Sequence, residues 1–316
     1  MNSWKSDVSV LLIFFNRADR FEQVLNSVKE ARPRKLYLYQ DGARNETDRN
    51  GINACRKLLE TINWECEIFT KFQEKNFGCD PSVYYAIKWM FNTEEYGIVL
   101  EDDVVVNPTF IAFAQEMLER YKNDNRIGMV CAMNHLKIYQ DCTDSYFFSM
   151  ENPIWGWATW KRVVDGWNND YSFLNDKRNF KLLKNSIMDQ STIKACRKIS
   201  TVDNYFFEFI LWKHKWLNSQ LSIIPTKNMT SNIGVGGGIS THYGQSVKLL
   251  PKKKQKIMFM KTYEMQFPLK HPNAVVRDYQ YEKRVGKIMR PNFFVKCSRG
   301  VEKIIRKFLY KIRIIR

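Results

Sequence analysis

Three consecutive carboxylates, Glu101-Asp102-Asp103, close the apolar run Tyr96-Gly97-Ile98-Val99-Leu100. Like charges packed side by side repel, and a carboxylate at the edge of a core is costly unless a cation pairs with it. Hard oxygen ligands of this kind suit magnesium or manganese. Ile98 to Leu100 reads as a short buried strand. In open α/β sheets ligands collect outside the carboxyl ends of strands, which is where the triplet falls. The plainer reading is a solvated acidic turn that opens the next helix, where Asn107-Pro108 precedes Thr109-Phe110-Ile111. Spacing alone leaves both readings open.

The elements that must position these residues follow an alternating order. Val8 to Phe15 is strand-like, and it is too short and too poorly flanked to be a secretory signal. Arg20 to Ala31 is helical, with Phe21, Val24, Leu25 and Val28 on one face. Lys35 to Gln40 is a second strand that stops at the turn signal Asp41-Gly42. A helix over Asn50 to Asn63, a strand over Glu65 to Thr70 and a helix over Pro81 to Phe91 lead to the strand ending at Glu101. Repeated βαβ order predicts a mostly parallel sheet flanked by helices.

Beyond Arg126 the pattern loosens. Strands are expected over Ile127 to Met133, Ser145 to Met150 and Leu221 to Pro225. A helix from Val202 to Lys215 carries Asp203 and Glu208 among aromatics. The segment Trp155-Gly156-Trp157-Ala158-Thr159-Trp160 is either core or a flat wall for a sugar ring. The run Gly234-Val235-Gly236-Gly237-Gly238 lacks the strand-before, helix-after context of a phosphate-binding fingerprint and reads as a lid.

A chain of 316 residues can bury a sizeable core. No stretch approaches the roughly 20 apolar residues of a membrane span. The seven cysteines form no Cys-x-x-Cys pair, a usage that fits reduced thiols and a cytoplasmic location. The net charge is +17, and residues 283–316 hold 12 Lys or Arg against the single acid Glu302. Val301, Ile304, Ile305, Phe308, Leu309, Ile312 and Ile315 recur at helical spacing within that basic tail. A basic amphipathic helix of this sort reads as membrane-surface binding, at roughly 1 kcal/mol per basic residue near an anionic bilayer. The alternative is that the stripe packs on the domain.

The order of these features resembles nucleotide-sugar glycosyltransferases of the GT-A fold. It rests on a first strand followed by Asn16-Arg17, a second ending in Asp41, Asn76-Phe77-Gly78, and then Leu100-Glu101-Asp102-Asp103. Trp155-Gly156-Trp157, and Asn232-Ile233-Gly234 leading to Thr241-His242, are similar to segments of bacterial enzymes that build surface polysaccharides. The Glu-Asp-Asp triplet is also similar to that of the eukaryotic N-acetylglucosaminyltransferase that begins complex N-glycans. The resemblance spans roughly residues 8–245.

It implies an α/β GT-A domain over residues 1–250, Rossmann-like, with a nucleotide-sugar half to about 125 and an acceptor half beyond. Residues 251–316 form a basic extension ending in the amphipathic helix. It further implies that Asp103 binds a Mn2+ or Mg2+ ion bridging the donor diphosphate, with His242 completing that site. Glu101 and Asp102 would contact the ribose or sugar or orient Asp103, Asp41 would meet the nucleobase or ribose, and Arg17 would sit near the nucleotide. Trp157 belongs to the expected sugar wall. Family enzymes place the catalytic base on the helix after the tryptophan-rich segment. Glu208 matches that position, although Asp is usual there, and Asp203 is the runner-up.

The expected activity is an inverting, metal-dependent transfer of a hexosyl or N-acetylhexosaminyl group to a glycan or lipid-linked hydroxyl. It would take place at the inner face of a bacterial membrane, reached through residues 299–316. A nucleotidyltransferase would share the layout, but Phe15-Asn16-Arg17-Ala18-Asp19 is not its glycine-rich phosphate loop. A nucleic-acid binder should spread its charge over a folded face with interleaved aromatics, whereas this charge gathers in the tail.

Overall fold

The chain enters the fold as β1 (Ser6–Phe14), nine residues of which all but Asp7 are buried. A computed structural model describes Ser3, residues 5–185, 190–199, 205–234 and 255–289, and residues 294, 297, 298, 300–302, 304 and 305. In it β1 is joined by β2 (Pro33–Gln40), β3 (Glu67–Phe72), β4 (Tyr96–Glu101), β6 (Ile127–Cys131), β7 (Tyr146–Ser149), β8 (Trp157–Trp160) and β9 (Leu221–Pro225). These form one eight-stranded sheet in the order β3-β2-β1-β4-β8-β6-β9-β7. A separate two-stranded ribbon pairs β5 (Val104–Val106) with β10 (Thr230–Asn232).

Pairing is parallel for β1 with β2 and β4, for β2 with β3, and for β6 with β9. Only β8 and β7 run against their neighbours. The expected mostly parallel α/β sheet is therefore observed, with both reversed strands in the half where strand–helix alternation loosens.

Helices cover both faces, because strands buried on two sides need apolar cover on each. On one face α1 (Ala18–Ala31) and α4 (Thr109–Arg120) bring Phe21, Phe110, Ile111 and Met117 onto the sheet. On the other, α3 (Cys79–Phe91) and α8 (Phe207–Leu217) bring Ile87, Met90, Ile210 and Leu211. The intervening helices are α2 (Glu46–Leu59), α5 (Lys161–Asp165), α6 (Lys177–Asn185) and α7 (Gln190–Ile199).

Two expectations are corrected here. The wall assigned to Trp157 is core: Trp157 is 1% exposed and stacks on Trp167 at 6.4 Å between centroids. The physical reason is that β8 is an interior strand, between β4 and β6, and helices cover the sheet there on both faces, Trp157 packing in the cluster of Ile87, Met90 and Leu211. Gly156 opens that strand at φ +74°, and a Cβ there would lie 2.8 Å from Val106 Cγ1. The domain boundary near residue 250 does not hold either. Met258, Met260, Met265 and Leu269 are buried, and the helix α9 (Tyr279–Met289) buries Tyr281 and Val285 against the sheet. Cys55, Cys66, Cys131, Cys142, Cys196 and Cys297 are free thiols.

One buried charge gives the fold a pH signature. Lys215 is 1% exposed, and its ammonium donates to Asn152 Oδ1 and Ser222 Oγ. Burial pushes its pKa down to about 8, against the pull of Cys131, Glu151 and Glu282. An unfolded lysine releases its proton near 10.5. Below pH ~8 the cost of burying the charge is present in full, and between the two values the unfolded chain holds the proton that the fold has lost. Stability then rises with pH by up to about 1.4 kcal/mol per unit. Lys215→Met abolishes this contribution. The difference in unfolding free energy, wild type minus variant, is expected to climb from pH ~8 to ~10.5 in urea titrations. A flat difference would show that the ammonium is solvated.

Candidate active site

Strands β1 and β4 lie side by side with Ile13 opposite Glu101, so their carboxyl ends finish level. Leaving β1, the chain turns through Phe15-Asn16-Arg17 into α1. Leaving β4, it turns through Asp102-Asp103 into β5. This register brings Arg17 against the carboxylates. Its Nη2 donates to Asp102 Oδ1 and, at 2.8 Å, to Asp103 Oδ2, while Nε reaches Asp102 Oδ2 at 3.4 Å. The main-chain N–H of Phe15 donates to Asp102 Oδ2 at 3.3 Å. Asp102 is thus a buried carboxylate held from two sides, and the triplet is not a solvated turn opening a helix.

The electrostatics follow from that geometry. Burial works against charge on Arg17, but Asp102 and Asp103 outweigh it and hold the guanidinium pKa above its ordinary value. Burial raises Asp102, and Arg17 offsets part of the rise. Glu101 is lifted well above the usual carboxylate range by burial, then by Asp103, Glu208 and Asp102. Glu208, in the first turn of α8, is therefore near enough for its charge to be felt at Glu101. Glu208 itself is exposed.

Asp41, at the end of β2, is 7% exposed and accepts from the N–H groups of Phe77 at 2.9 Å and Gly78 at 3.0 Å. It anchors the loop entering α3, where Gly78 sits at φ +88°, a conformation suited to glycine. Asn76 fixes the same loop by donating to the Gly42 carbonyl at 2.8 Å. Arg44 grips Asp48 through Nε at 2.7 Å and lies over the Phe15 ring, and Asn16 donates to Asp48 at 2.7 Å. Together these elements enclose a cavity of about 240 Å³ lined by Asn16, Arg17, Asp41, Asn76, Glu101 and Asp102 among others.

Asp103 stands on the side toward β10. Its carbonyl accepts from Ile233 N–H at 2.8 Å, and Asn232 Nδ2 lies 3.4 Å from Oδ1. A Cβ on Gly234 would collide with its carboxylate. Arg20, from α1, donates to the Gly234 carbonyl. Among the described residues no group of three or more His, Cys, Asp or Glu is arranged to hold a metal ion. A magnesium or manganese ion bound with a phosphate needs only one or two protein carboxylates, the rest of its shell being phosphate oxygens and water. Asp103 meets that requirement once Arg17 gives up its hydrogen bond to Oδ2.

The structure therefore gathers Arg17, Asp41, Glu101, Asp102, Asp103 and Glu208 at one end of the sheet and excludes Trp157. Asp203, His242 and the glycine run from Val235 onward lie outside the described residues. Sequence reasoning missed an exposed aromatic group beside the cavity. Phe77 is 48% and Tyr85 37% exposed, with centroids 5.9 Å apart, and Tyr205 sits 5.8 Å from Tyr85. Phe77 lies in a motif singled out above, but its exposure depends on the turn that Asp41 imposes.

No protein-family model matches the sequence, and no curated protein matches it. Among solved structures, mouse xyloside xylosyltransferase 1 in its apo form is similar with a TM-score of 0.37 at 10% identity, covering 84% of this chain and 98% of that one. A mycobacterial protein is similar with a TM-score of 0.28 at 9% identity, over 50% of this chain and 54% of that one. Neither likeness carries the chemistry across at such scores.

The two aspartates of the triplet are expected to separate by stability. Asp102→Asn keeps the shape but leaves Arg17 without its main partner, and should cost about 2 kcal/mol in chemical unfolding, as hydrogen bonds to charged groups do. Asp103→Asn, more open and bound by fewer groups, should cost less than ~1 kcal/mol. Equal losses would contradict this division.

Proposed function

We propose that the protein is a glycosyltransferase of the GT-A type, moving a sugar from a nucleoside-diphosphate sugar to a hydroxyl of a glycan or lipid-linked acceptor with inversion. The observation that carries this reading is the cavity at the carboxyl ends of β1, β2 and β4, lined by Arg17, Asp41, Glu101 and Asp102, with Asp103 bound to Arg17 at its edge and the charge of Glu208 felt at Glu101. In this reading the nucleoside lies in the cavity between the Asn16-Arg17 turn and the Asn76–Gly78 loop. Asp41 acts through the loop it anchors. The sugar projects toward Asp103 and the ribbon, and the exposed rings of Phe77 and Tyr85 offer apolar faces to the sugar or acceptor.

Departure of a nucleoside diphosphate requires that its growing negative charge be neutralised. Arg17 is the resident cation at that point, and freed from Asp103 it can donate to phosphate oxygens. A divalent ion, Mn2+ or Mg2+, would be held by Asp103, with His242 as the proposed further ligand, and would supply the same neutralisation more strongly. Glu101 and Asp102 hold Asp103 and Arg17 in place. An inverting transfer needs a base beside the acceptor hydroxyl on the face opposite the leaving group. We assign that proton acceptance to Glu208, exposed at the start of α8, with Asp203 as the alternative.

The acceptor reading extends to the tail. Among its described residues Val301, Ile304 and Ile305 are 57%, 69% and 52% exposed, which favours an apolar stripe offered to an anionic membrane surface over one packed on the domain. No described helix is long and apolar enough to cross a membrane.

Two measurements test the assignment. Asp103→Asn is expected to lower metal-dependent binding of nucleotide sugars at least about tenfold, read by thermal shift and isothermal titration, while the protein stays folded. Full metal-dependent activity in the folded variant would falsify the role of Asp103. Glu208→Gln is expected to lower kcat by about 10²–10⁴-fold with donor affinity little changed, because a base acts in the transition state. Should Asp203→Asn be the more damaging of the two, the base is Asp203.

A further inference from the structure

We propose that the protein forms a homodimer through β3, which pairs antiparallel with β3 of a second copy and joins the two sheets edge to edge. This inference stands apart from the proposed activity. Strand β3 is the sheet's outer strand, and among the described residues β2 alone is bonded to it. Every residue from Glu67 to Lys71 is exposed, including Ile68 at 46% and Phe69 at 37%. An edge strand whose main-chain groups stand open is a template for another strand unless something covers it.

The register can be derived. The Gln73 N–H donates to the Gln40 carbonyl at 2.9 Å, so Gln73 faces β2. Alternate residues of a strand turn their main-chain groups to opposite neighbours. Glu67, Phe69 and Lys71 therefore bond β2, and the N–H and C=O groups of Ile68, Thr70 and Phe72 point to the open edge. A two-fold axis through Phe69 sets Ile68 against Thr70 of the partner subunit as a hydrogen-bonded pair, twice by symmetry. It sets Phe69 against its own copy, and Glu67 against Lys71 of the partner subunit, at the closer non-hydrogen-bonded spacing of about 4.5 Å between Cα atoms.

Charge complementarity selects this axis. Moving it to Thr70 leaves Glu67 opposite Gln73, and moving it to Ile68 leaves Glu67 opposite Phe69 and offers Lys71 only Glu65 of the partner subunit, which lies outside β3. The side chains are already held upright for the pairing. Phe69 stacks on Tyr37 at 4.6 Å, Lys71 lies over the Trp89 ring at 5.9 Å, and Arg34 meets Glu67 at 3.3 Å. Because the strands run antiparallel, the carboxyl ends of the two sheets point in opposite directions. Each cavity stays complete within its own subunit, and the two open on opposite edges of the joined sheet.

The test is the mass of the full chain by sedimentation equilibrium up to about 100 µM, a range suited to an interface smaller than the standard size. The expected result is a dimer of the 37.6 kDa chain. Thr70→Pro should be monomeric with an unchanged unfolding curve, since the Thr70 N–H makes no bond to β2 and edge strands tolerate proline. Glu67→Lys and Lys71→Glu should each weaken association about tenfold by opposing like charges twice, and the double exchange should restore it. A wild-type monomer at the top concentration, a dimer indifferent to Thr70→Pro, or a double variant no tighter than the singles would each overturn the proposal.

Discussion

One guanidinium organises this molecule. Arg17 leaves the carboxyl end of β1 and bonds Asp102 and Asp103 at the carboxyl end of β4. Without it, three carboxylates would crowd the end of a buried strand, each raising the cost of ionising the next. With it, the tips of the two adjacent strands are tied by charge as well as by their ladder. The same knot extends outward, because Arg20 of α1 reaches the Gly234 carbonyl while Asp103 accepts from Ile233. The ribbon of β5 and β10, whose strands lie more than 120 residues apart in the sequence, is thereby drawn over the site.

This arrangement divides labour within the triplet. Asp102, at 5% exposed, is spent on Arg17 and the Phe15 amide. Asp103 keeps a side open toward the ribbon, and Glu101 is held well above the usual carboxylate range by burial and by the acids around it. A comparable division applies at β2, where Asp41 lines the cavity yet gives its oxygens to the Phe77 and Gly78 amides. Its influence on the cavity runs through the shape of that loop. Carboxylates that look alike in the sequence thus hold a loop, balance an arginine or keep a side open, according to how many donors reach each one.

The proposed chemistry draws on both halves of the sheet. The first four strands supply the cavity, the arginine and the triplet. The second half supplies Glu208 through α8, whose Ile210 and Leu211 seat it against the core. Residues 255–289 complete that core, with Tyr281 buried and the Glu282 carboxylate gripped by Arg277 and the Met150 amide.

Much of this was legible in the residues themselves. The strands of the first half, the helical face of Phe21, Val24, Leu25 and Val28, and the placement of the triplet at a strand end follow from periodicity, because βαβ units bury one continuous apolar run after another. The weaker second half was legible only as isolated strands. Local pattern could not tell that β8 would insert between β4 and β6, and that insertion is what turned Trp157 from a candidate wall into core. Nor could it show that the residues after 250 return to the sheet, since their apolar side chains are sparse and are buried by partners far away in the chain. The composition of the site was set by sequence: three acids, an arginine after the first strand, an aspartate after the second. Which acid is neutralised, and which is left to act, was decided by the register of β1 on β4, a tertiary contact between segments more than 80 residues apart.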